Sequence, residues 1–390
     1  MRTLFGKVGL SLLCAAIVSP ARHGSTIIAG AHAAQGLLYG PENFRELILE
    51  PVMEAPDLTQ LLTITDDIKA KMDILFAKRF KKVTHLDTGC GTVPSTPGMD
   101  VEKLTWDPVR LEAWIQECGE DFDGTFMAWG LGVGYKRPDL REAAIKIRNG
   151  LGNAEPTTLN YWNEFVQDMM EAAIRDDIFR IGYFGDPAIT AAMLTGGAAD
   201  VKNYNQLRGL WPQIIALATA YPKVRAYTIA ANQSATQELA PGESLEIFKK
   251  LIRGADRRLL SGKFGTPIIQ CTKSIADNWA DYRQSNGNLE TSWELQVTGL
   301  VGPKYNNVAV RPVDEWDDIL LEDFLINGKV NLPHRAVLTT STNMQLGFDS
   351  YDAATQVKSW HNDETKYTHM RGNWKMDAKV MRPFLTRAAW

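Results

Sequence analysis

Cysteine is scarce in this chain: Cys14, Cys90, Cys118 and Cys271 are its only four, and no two form a Cys-x-x-Cys pair. Neither a thiolate zinc site nor a disulfide framework is indicated. The six histidines (His23, His32, His85, His334, His361 and His369) show no His-Glu-x-x-His spacing, and each alone reads as structural. A Gly-x-Ser-x-Gly elbow for nucleophilic hydrolysis is missing. No apolar run is long enough to cross a bilayer, which takes about 20 residues. A large excess of charge of either sign is also lacking. The formal net charge of −4 argues against a protein whose main task is to coat nucleic acid. The densest basic stretch, Lys78 to Lys82, reads as a solvated face.

Several partial motifs have bland explanations. The glycines of Gly130-Leu131-Gly132-Val133-Gly134 follow no convincing strand, and Tyr135 stands where a dinucleotide fingerprint needs its third glycine. Ser261-Gly262-Lys263-Phe264 lacks the upstream glycine and final hydroxyl of a phosphate loop and reads as a turn. Asn232-Gln233-Ser234 fits a glycosylation sequon, a pattern too short to inform. The acidic set Asp314, Glu315, Asp317, Asp318, Glu322 and Asp323 surrounds Trp316, Ile319, Leu320, Leu321 and Phe324. It lacks the oxygen spacing of a calcium loop and reads as an amphipathic helix with an acidic outer face. Such a face suits a basic neighbour, for example Arg253, Arg257 and Arg258 of another copy. No catalytic, cofactor-binding or metal-ligating residue is assigned, no cofactor is implied, and the chain is not read as an enzyme.

What the chain does have is length, apolar content and aromatic residues. At 390 residues with 45% hydrophobic and 23% charged residues it is a globular chain of one large or two ordinary domains. Its 11 Trp, 11 Tyr and 14 Phe supply large apolar anchors of the kind that dominate cores and protein contacts. The beginning, "MRTLFGKVGLSLLCAAIVSPA", has the layout of a secretory signal peptide, with Arg2 and Lys7 before an apolar run from Val8 to Val18. The same residues also suit a retained arm, and the stretch up to about Gln60 reads as extended with a short helix at Glu42 to Glu50.

Residues Lys82 to Leu104 mix β-formers with Gly89, Gly91, Pro94, Pro97 and Gly98, the composition of strands flanking a protruding loop. From Asp107 to Thr125 the spacing of Leu111, Trp114, Ile115 and Cys118 predicts a helix. A long helix is predicted from Asn160 to Gly185, on the recurrence of Trp162, Phe165, Val166, Met169, Ala173, Ile174, Ile178 and Ile181. Further helices are expected at Ser244 to Leu260 and Thr272 to Gln284, and strands at Thr266 to Cys271 and Asn307 to Pro312. "NWKMDAKVM" alternates as a half-buried strand, with "TKYTHMRG" before it as the expected partner.

The order of these elements resembles the major capsid protein of tailed bacteriophages, the Hong Kong 97-like fold. The stretches that carry the likeness are "LTWDPVRLEAWIQECGEDFDGTF", "EAAIRDDIFRIGYFGD", "NYNQLRGLWPQIIA", "HRAVLTTSTNMQLGF" and "YTHMRGNWKMDAKVMRPFLTRAAW". The resemblance implies an α+β fold with an N-terminal arm at 1–60 and an extended E-loop region at 61–110. It implies a peripheral domain at 111–199 with its spine helix at 160–185, an axial domain at 200–346, and a return to the peripheral domain at 347–390. By resemblance the chain is a structural protein that self-assembles into an icosahedral shell around double-stranded DNA. Its partners are then itself, as hexamers and pentamers, together with portal, scaffolding and decoration proteins, while DNA is contacted weakly and no membrane is involved. Its place is the virion, and the host cytoplasm during assembly. The runner-up is an exported periplasmic solute-binding protein whose N-terminal run is a signal peptide. In the shell reading that run is an arm packed on neighbours.

Overall fold

The computed structural model describes residues 38–39, 56–68, 70–77, 101–118, 170, 172–285, 304–349, 357–362, 364–365 and 367–390, all within the unit Ala34–Trp390. The N-terminal run, the helix expected at Glu42 to Glu50, the Lys78 to Lys82 stretch, the loop glycines and prolines, and Gly130 to Gly134 lie outside these residues.

Two mixed sheets of six strands each carry the fold. The first holds β1 (Leu38–Tyr39), β2 (Thr63–Thr65), β5 (Val109–Cys118), β13 (Met344–Asp349), β14 (Val357–Asn362) and β15 (Tyr367–Val380). β15 is its organising strand. Antiparallel β5 runs along one edge from Tyr367 to Met376, and β14 and then β13 occupy the other. Parallel β2 closes the sheet beyond β13. Trp374, Met376, Ala378 and Val380 are buried on the face that the alternation predicted. "TKYTHMRG" is not the partner of that strand, because most of it is the first half of the same strand; the partners come from far away in sequence.

β5 corrects the helix expected at Asp107 to Thr125. The positions Val109, Leu111, Ala113 and Ile115 turn toward the core while Arg110, Glu112, Trp114 and Gln116 turn out. Helical spacing and strand alternation share Leu111 and Ile115. The long antiparallel ladder to β15 ties the segment along one edge and decides the matter.

Helical structure covers residue 170 and residues 172–184 of the long helix predicted at 160–185, whose earlier part lies outside the described residues. Met170, Ile174, Ile178, Phe179 and Ile181 bury its inner side against the first sheet, together with the helix Leu210–Ala220 and the helix Asp314–Asp323. The end of this helix meets the start of Leu210–Ala220 at two glycines. The Gly209 N–H donates to the Gly185 carbonyl at 2.6 Å, and a Cβ on Gly209 would stand 2.8 Å from the backbone of Gly185 and Tyr183. Only glycine permits that approach. Beyond the end of β5, Gln213 of Leu210–Ala220 completes the exposed edge of β15, donating to the Ala378 carbonyl and accepting from the Val380 N–H.

The second sheet runs β6 (Arg225–Tyr227), β16 (Arg387–Ala389), β12 (Ala336–Thr340), β7 (Pro267–Cys271), β9 (Val308–Pro312) and β8 (Lys304–Tyr305). The strands expected at Thr266 to Cys271 and Asn307 to Pro312 are β7 and β9. All of β12 is buried, which means that both faces of this sheet are covered. Ala336, Leu338, Ile269, Cys271 and Val310 face a core made with the helices Glu243–Arg253, Arg257–Leu260 and Lys273–Ser285. Val337 and Ala388 face the opposite way, toward the core of the first sheet and the helix Asp314–Asp323.

Both ends of the chain's later half reach across the two sheets. The segment 347–390 contributes to both, because β16 inserts between β6 and β12 of the second. Within 200–346, Leu210–Ala220 and Asp314–Asp323 bury their apolar sides in the first core. Buried polar side chains join the two sheets. Gln270 of β7 donates to the Leu61 carbonyl at 2.7 Å and accepts from the Tyr183 hydroxyl at 3.2 Å. Asn343 donates to Thr339 and Thr386 and accepts from the Arg382 N–H.

Candidate assembly surface

The chemistry-bearing residues singled out in the sequence are mostly structural where they are described. His334 is buried, its ring bonded to the Ser274 hydroxyl and the Gln237 carbonyl, and burial lowers its pKa. His369 lies against Trp114 on the first sheet. Burial pushes the Cys271 thiol far up, leaving it unreactive. Asn232 is buried with its amide bonded both ways to the His334 backbone, so it is no glycan acceptor. Ser261-Gly262-Lys263-Phe264 is a turn, with Gly262 at a positive φ of 68°. Among the described residues no cluster of His, Cys, Asp and Glu is placed to hold a metal ion, and no helix is long and apolar enough to cross a membrane.

What stands out instead is uncovered surface. Among the described residues β3 (Met72–Ala77) and β4 (Val101–Trp106) pair only with each other, as a two-stranded antiparallel ribbon. Its root is fixed firmly. Trp106 is fully buried, directly over Gly347 of β13, where a Cβ would stand 2.9 Å from the indole. The next residue, Asp107, donates its N–H to the buried Asp377 carboxylate at 2.7 Å. Burial raises the pKa of that carboxyl, opposed by the two backbone N–H groups and Lys379. Opposite Trp106, Met72 is 46% exposed, and Leu75, further along the ribbon, is 66% exposed. A ribbon of this kind is marginal alone in water and needs a cover.

A second surface is the helix Asp314–Asp323. Trp316, Leu320 and Phe324 enter an aromatic core in which Trp316 meets Tyr183 and Trp211 edge-on. Arg335 is buried there against Phe184 and Trp211, donating to the carbonyls of Leu332 and Asn331, and burial lowers its pKa to about 9. On the outer side Asp314, Asp318, Leu321, Glu322 and Leu325 form one exposed stripe, at the spacing of a single helix face. Asp317 turns from it toward the helix Lys273–Ser285, whose first N–H it accepts at 2.7 Å. Burial foremost, then the neighbouring Asp314, Asp318 and Asp277, raise its pKa to about 6 despite that bond. Asp323 accepts the Tyr204 hydroxyl. The acidic set is thus a solvated face with two half-buried members, Asp317 capping the helix Lys273–Ser285 and Asp323 held by Tyr204, and among the described residues it gathers no cation site.

The third surface is basic. Glu243–Arg253 carries Glu243 and Glu246 in its first turn and Lys250 and Arg253 in its last, as the helix dipole favours. Arg257 and Arg258 follow at once. Arg387 of β16 closes the end of Glu243–Arg253 by donating to the carbonyls of Lys250 and Gly254, and it also donates to the Lys223 carbonyl just before β6. Arg258 pairs with Asp256, whose pKa it lowers to about 2, and stacks on Phe384.

The sequence anticipated the acidic face through its amphipathic pattern, and named Arg253, Arg257 and Arg258 only as a basic neighbour that could meet it. It gave no sign of the ribbon's root, because Trp106, Gly347 and Asp377 meet only through long-range pairing.

No family model matches the chain, and no curated protein matches it. Solved structures do. A chain of the satellite phage P4 procapsid is 7% identical, with 87% of this chain and 96% of that chain covered at a TM-score of 0.49. A chain from Mycobacterium phage Ogopogo is 12% identical over 85% and 90%, at 0.48. The capsid of Myoviridae phage XM1 gives 12% over 85% and 90%, at 0.44.

Proposed function

We propose that this chain is the major capsid protein of a tailed-phage-like particle, a subunit that assembles with copies of itself into an icosahedral shell around double-stranded DNA. The β3–β4 ribbon is the observation that carries the reading. A chain with two well-packed cores presents Leu75 and Met72, largely exposed, on a two-stranded ribbon rooted at a buried tryptophan, a form suited to lying on a neighbouring subunit. In this reading the ribbon is the E-loop base and residues 170–184 belong to the spine helix. The second sheet with its helices is the axial domain, and β13 to β15 return to the peripheral domain. Stability then belongs to the shell more than to the monomer. The mild negative charge suits a container that must not grip its packaged duplex, because each neutralised phosphate tightens binding. No catalytic step is assigned to it.

Light scattering and negative-stain microscopy of the purified full-length protein test the proposal. Rings, shells or very large particles are expected with rising concentration. A monomer persisting from micromolar to near-millimolar concentration refutes it.

A further inference from the structure

The acidic and basic faces lie on opposite sides of one sheet. The helix Asp314–Asp323 packs on the side of the second sheet that bears Val337 and Ala388, while Glu243–Arg253 and Arg257–Leu260 pack on the side that bears Ala336 and Leu338. Within one copy the two faces therefore cannot neutralise each other. Among the described residues Asp314, Asp318 and Glu322 make no ion pair, and neither do Lys250, Arg253 and Arg257. Each face also carries exposed apolar residues: Leu321 and Leu325 on the acidic side, Leu260 on the basic side. Met193 extends the acidic patch, because Thr195 is tied to the Asp323 and Leu325 backbone.

We propose that these are the two halves of one contact between copies, in which the stripe Asp314, Asp318, Leu321 and Glu322 of one subunit seats on Lys250, Arg253, Arg257 and Leu260 of the next. The occupant is a second copy because the complementary charge and matching apolar residues are on the chain itself. Because the halves sit on opposite sides of a sheet, the contact is heterologous, and repetition around an axis closes a ring. The apolar residues exclude water at the centre, and the charges set register and encounter rate. The inference rests on the shell reading above and names a surface on which its rings would close.

Charge exchange tests it. Asp318→Lys with Glu322→Lys, and separately Arg253→Glu with Arg257→Glu, place like charges across the contact. Each double variant is expected to raise the protein concentration at half-assembly about tenfold or more, equivalent to about 1.4 kcal/mol. Combining all four substitutions should recover assembly to within a few-fold of wild type, and rising salt should shrink the differences. Circular dichroism of each variant confirms folding, since all four positions are exposed or at a rim. Wild-type assembly with unchanged variants overturns this contact and leaves the shell reading standing. A wild type that never assembles overturns both. An effect of the arginine changes alone, accompanied by lost retention of a DNA fragment, assigns the basic face to phosphate and overturns the contact.

Discussion

Replacing Asp317 by asparagine should make the protein more stable above pH 6 and flatten its pH dependence below. The Asp317 carboxyl is partly buried between two helices, accepts one N–H from Lys273 and has Asp314, Asp318 and Asp277 as like-charged neighbours. Its pKa therefore rises from 3.8 to about 6 in the folded state. The folded chain holds a proton there that the unfolded chain has lost, so stability falls as pH rises from about 4 to about 6 and stays reduced above. At full effect such a rise is worth about 3 kcal/mol, which partial exposure reduces to about 1–2 kcal/mol. Asparagine keeps an oxygen for the Lys273 N–H and carries no charge, so D317N should gain most of that amount at pH 7 and little at pH 4. Alanine removes the acceptor as well and should lose about 1 kcal/mol through the cap. Urea unfolding of wild type, D317N and D317A between pH 4 and 7.5, at a concentration too low for assembly, measures each difference. A D317N variant no more stable at pH 7, with the wild-type slope between pH 4 and 6 intact, refutes the account of a strained carboxylate.

Trp106→Ala should cost about 3–5 kcal/mol in chemical denaturation and free the ribbon root, seen as faster amide exchange across β3 and β4. Gly209→Ala drives a methyl into the Gly185 and Tyr183 backbone and should cost about 1–3 kcal/mol, read as a lowered melting temperature. Arg387→Met removes two hydrogen bonds to the carbonyls that end Glu243–Arg253 and a third to the Lys223 carbonyl, and should cost about 1.5–3 kcal/mol, again read in urea. Leu75→Glu, on an exposed position, should leave monomer stability within about 0.5 kcal/mol while suppressing large particles in light scattering.

Much of the second sheet and its helices was legible because local pattern and tertiary environment agree there. Ile247, Phe248 and Leu251 repeat at helical steps, charges follow the dipole, and β7 is a short apolar run before a helix. β5 was misread because Leu111, Trp114, Ile115 and Cys118 satisfy a helical template, while what decides the segment is its ladder to β15, more than two hundred residues away. β16 was illegible for a related reason. Arg387, Ala388 and Ala389 have no alternation of their own and become a strand only by lying between β6 and β12. The glycine pair Gly185 and Gly209 reads in sequence as two ordinary helix boundaries. Only the fold shows that they touch.

Aromatic content was the compositional argument for an interacting surface, and the structure relocates it. Trp106, Trp211, Trp279, Trp316, Trp374 and Trp390 are all buried, most within clusters that hold helices to sheets. Trp114, on the outer face of β5, is the exception among the described tryptophans whose burial is resolved. The large exposed apolar residues of the ribbon and the charged faces are Met72, Leu75, Met193, Leu260, Leu321 and Leu325. Leucine and methionine beside mobile charged side chains make contacts of adjustable geometry, whereas a buried tryptophan fixes one arrangement. A shell that places one chain in several slightly different environments needs rigidity inside the subunit and tolerance between subunits. In the shell reading proposed above, the distribution of residues would meet both requirements: aromatic packing would keep each body constant, and aliphatic and ionic edges would let neighbouring bodies meet at more than one angle.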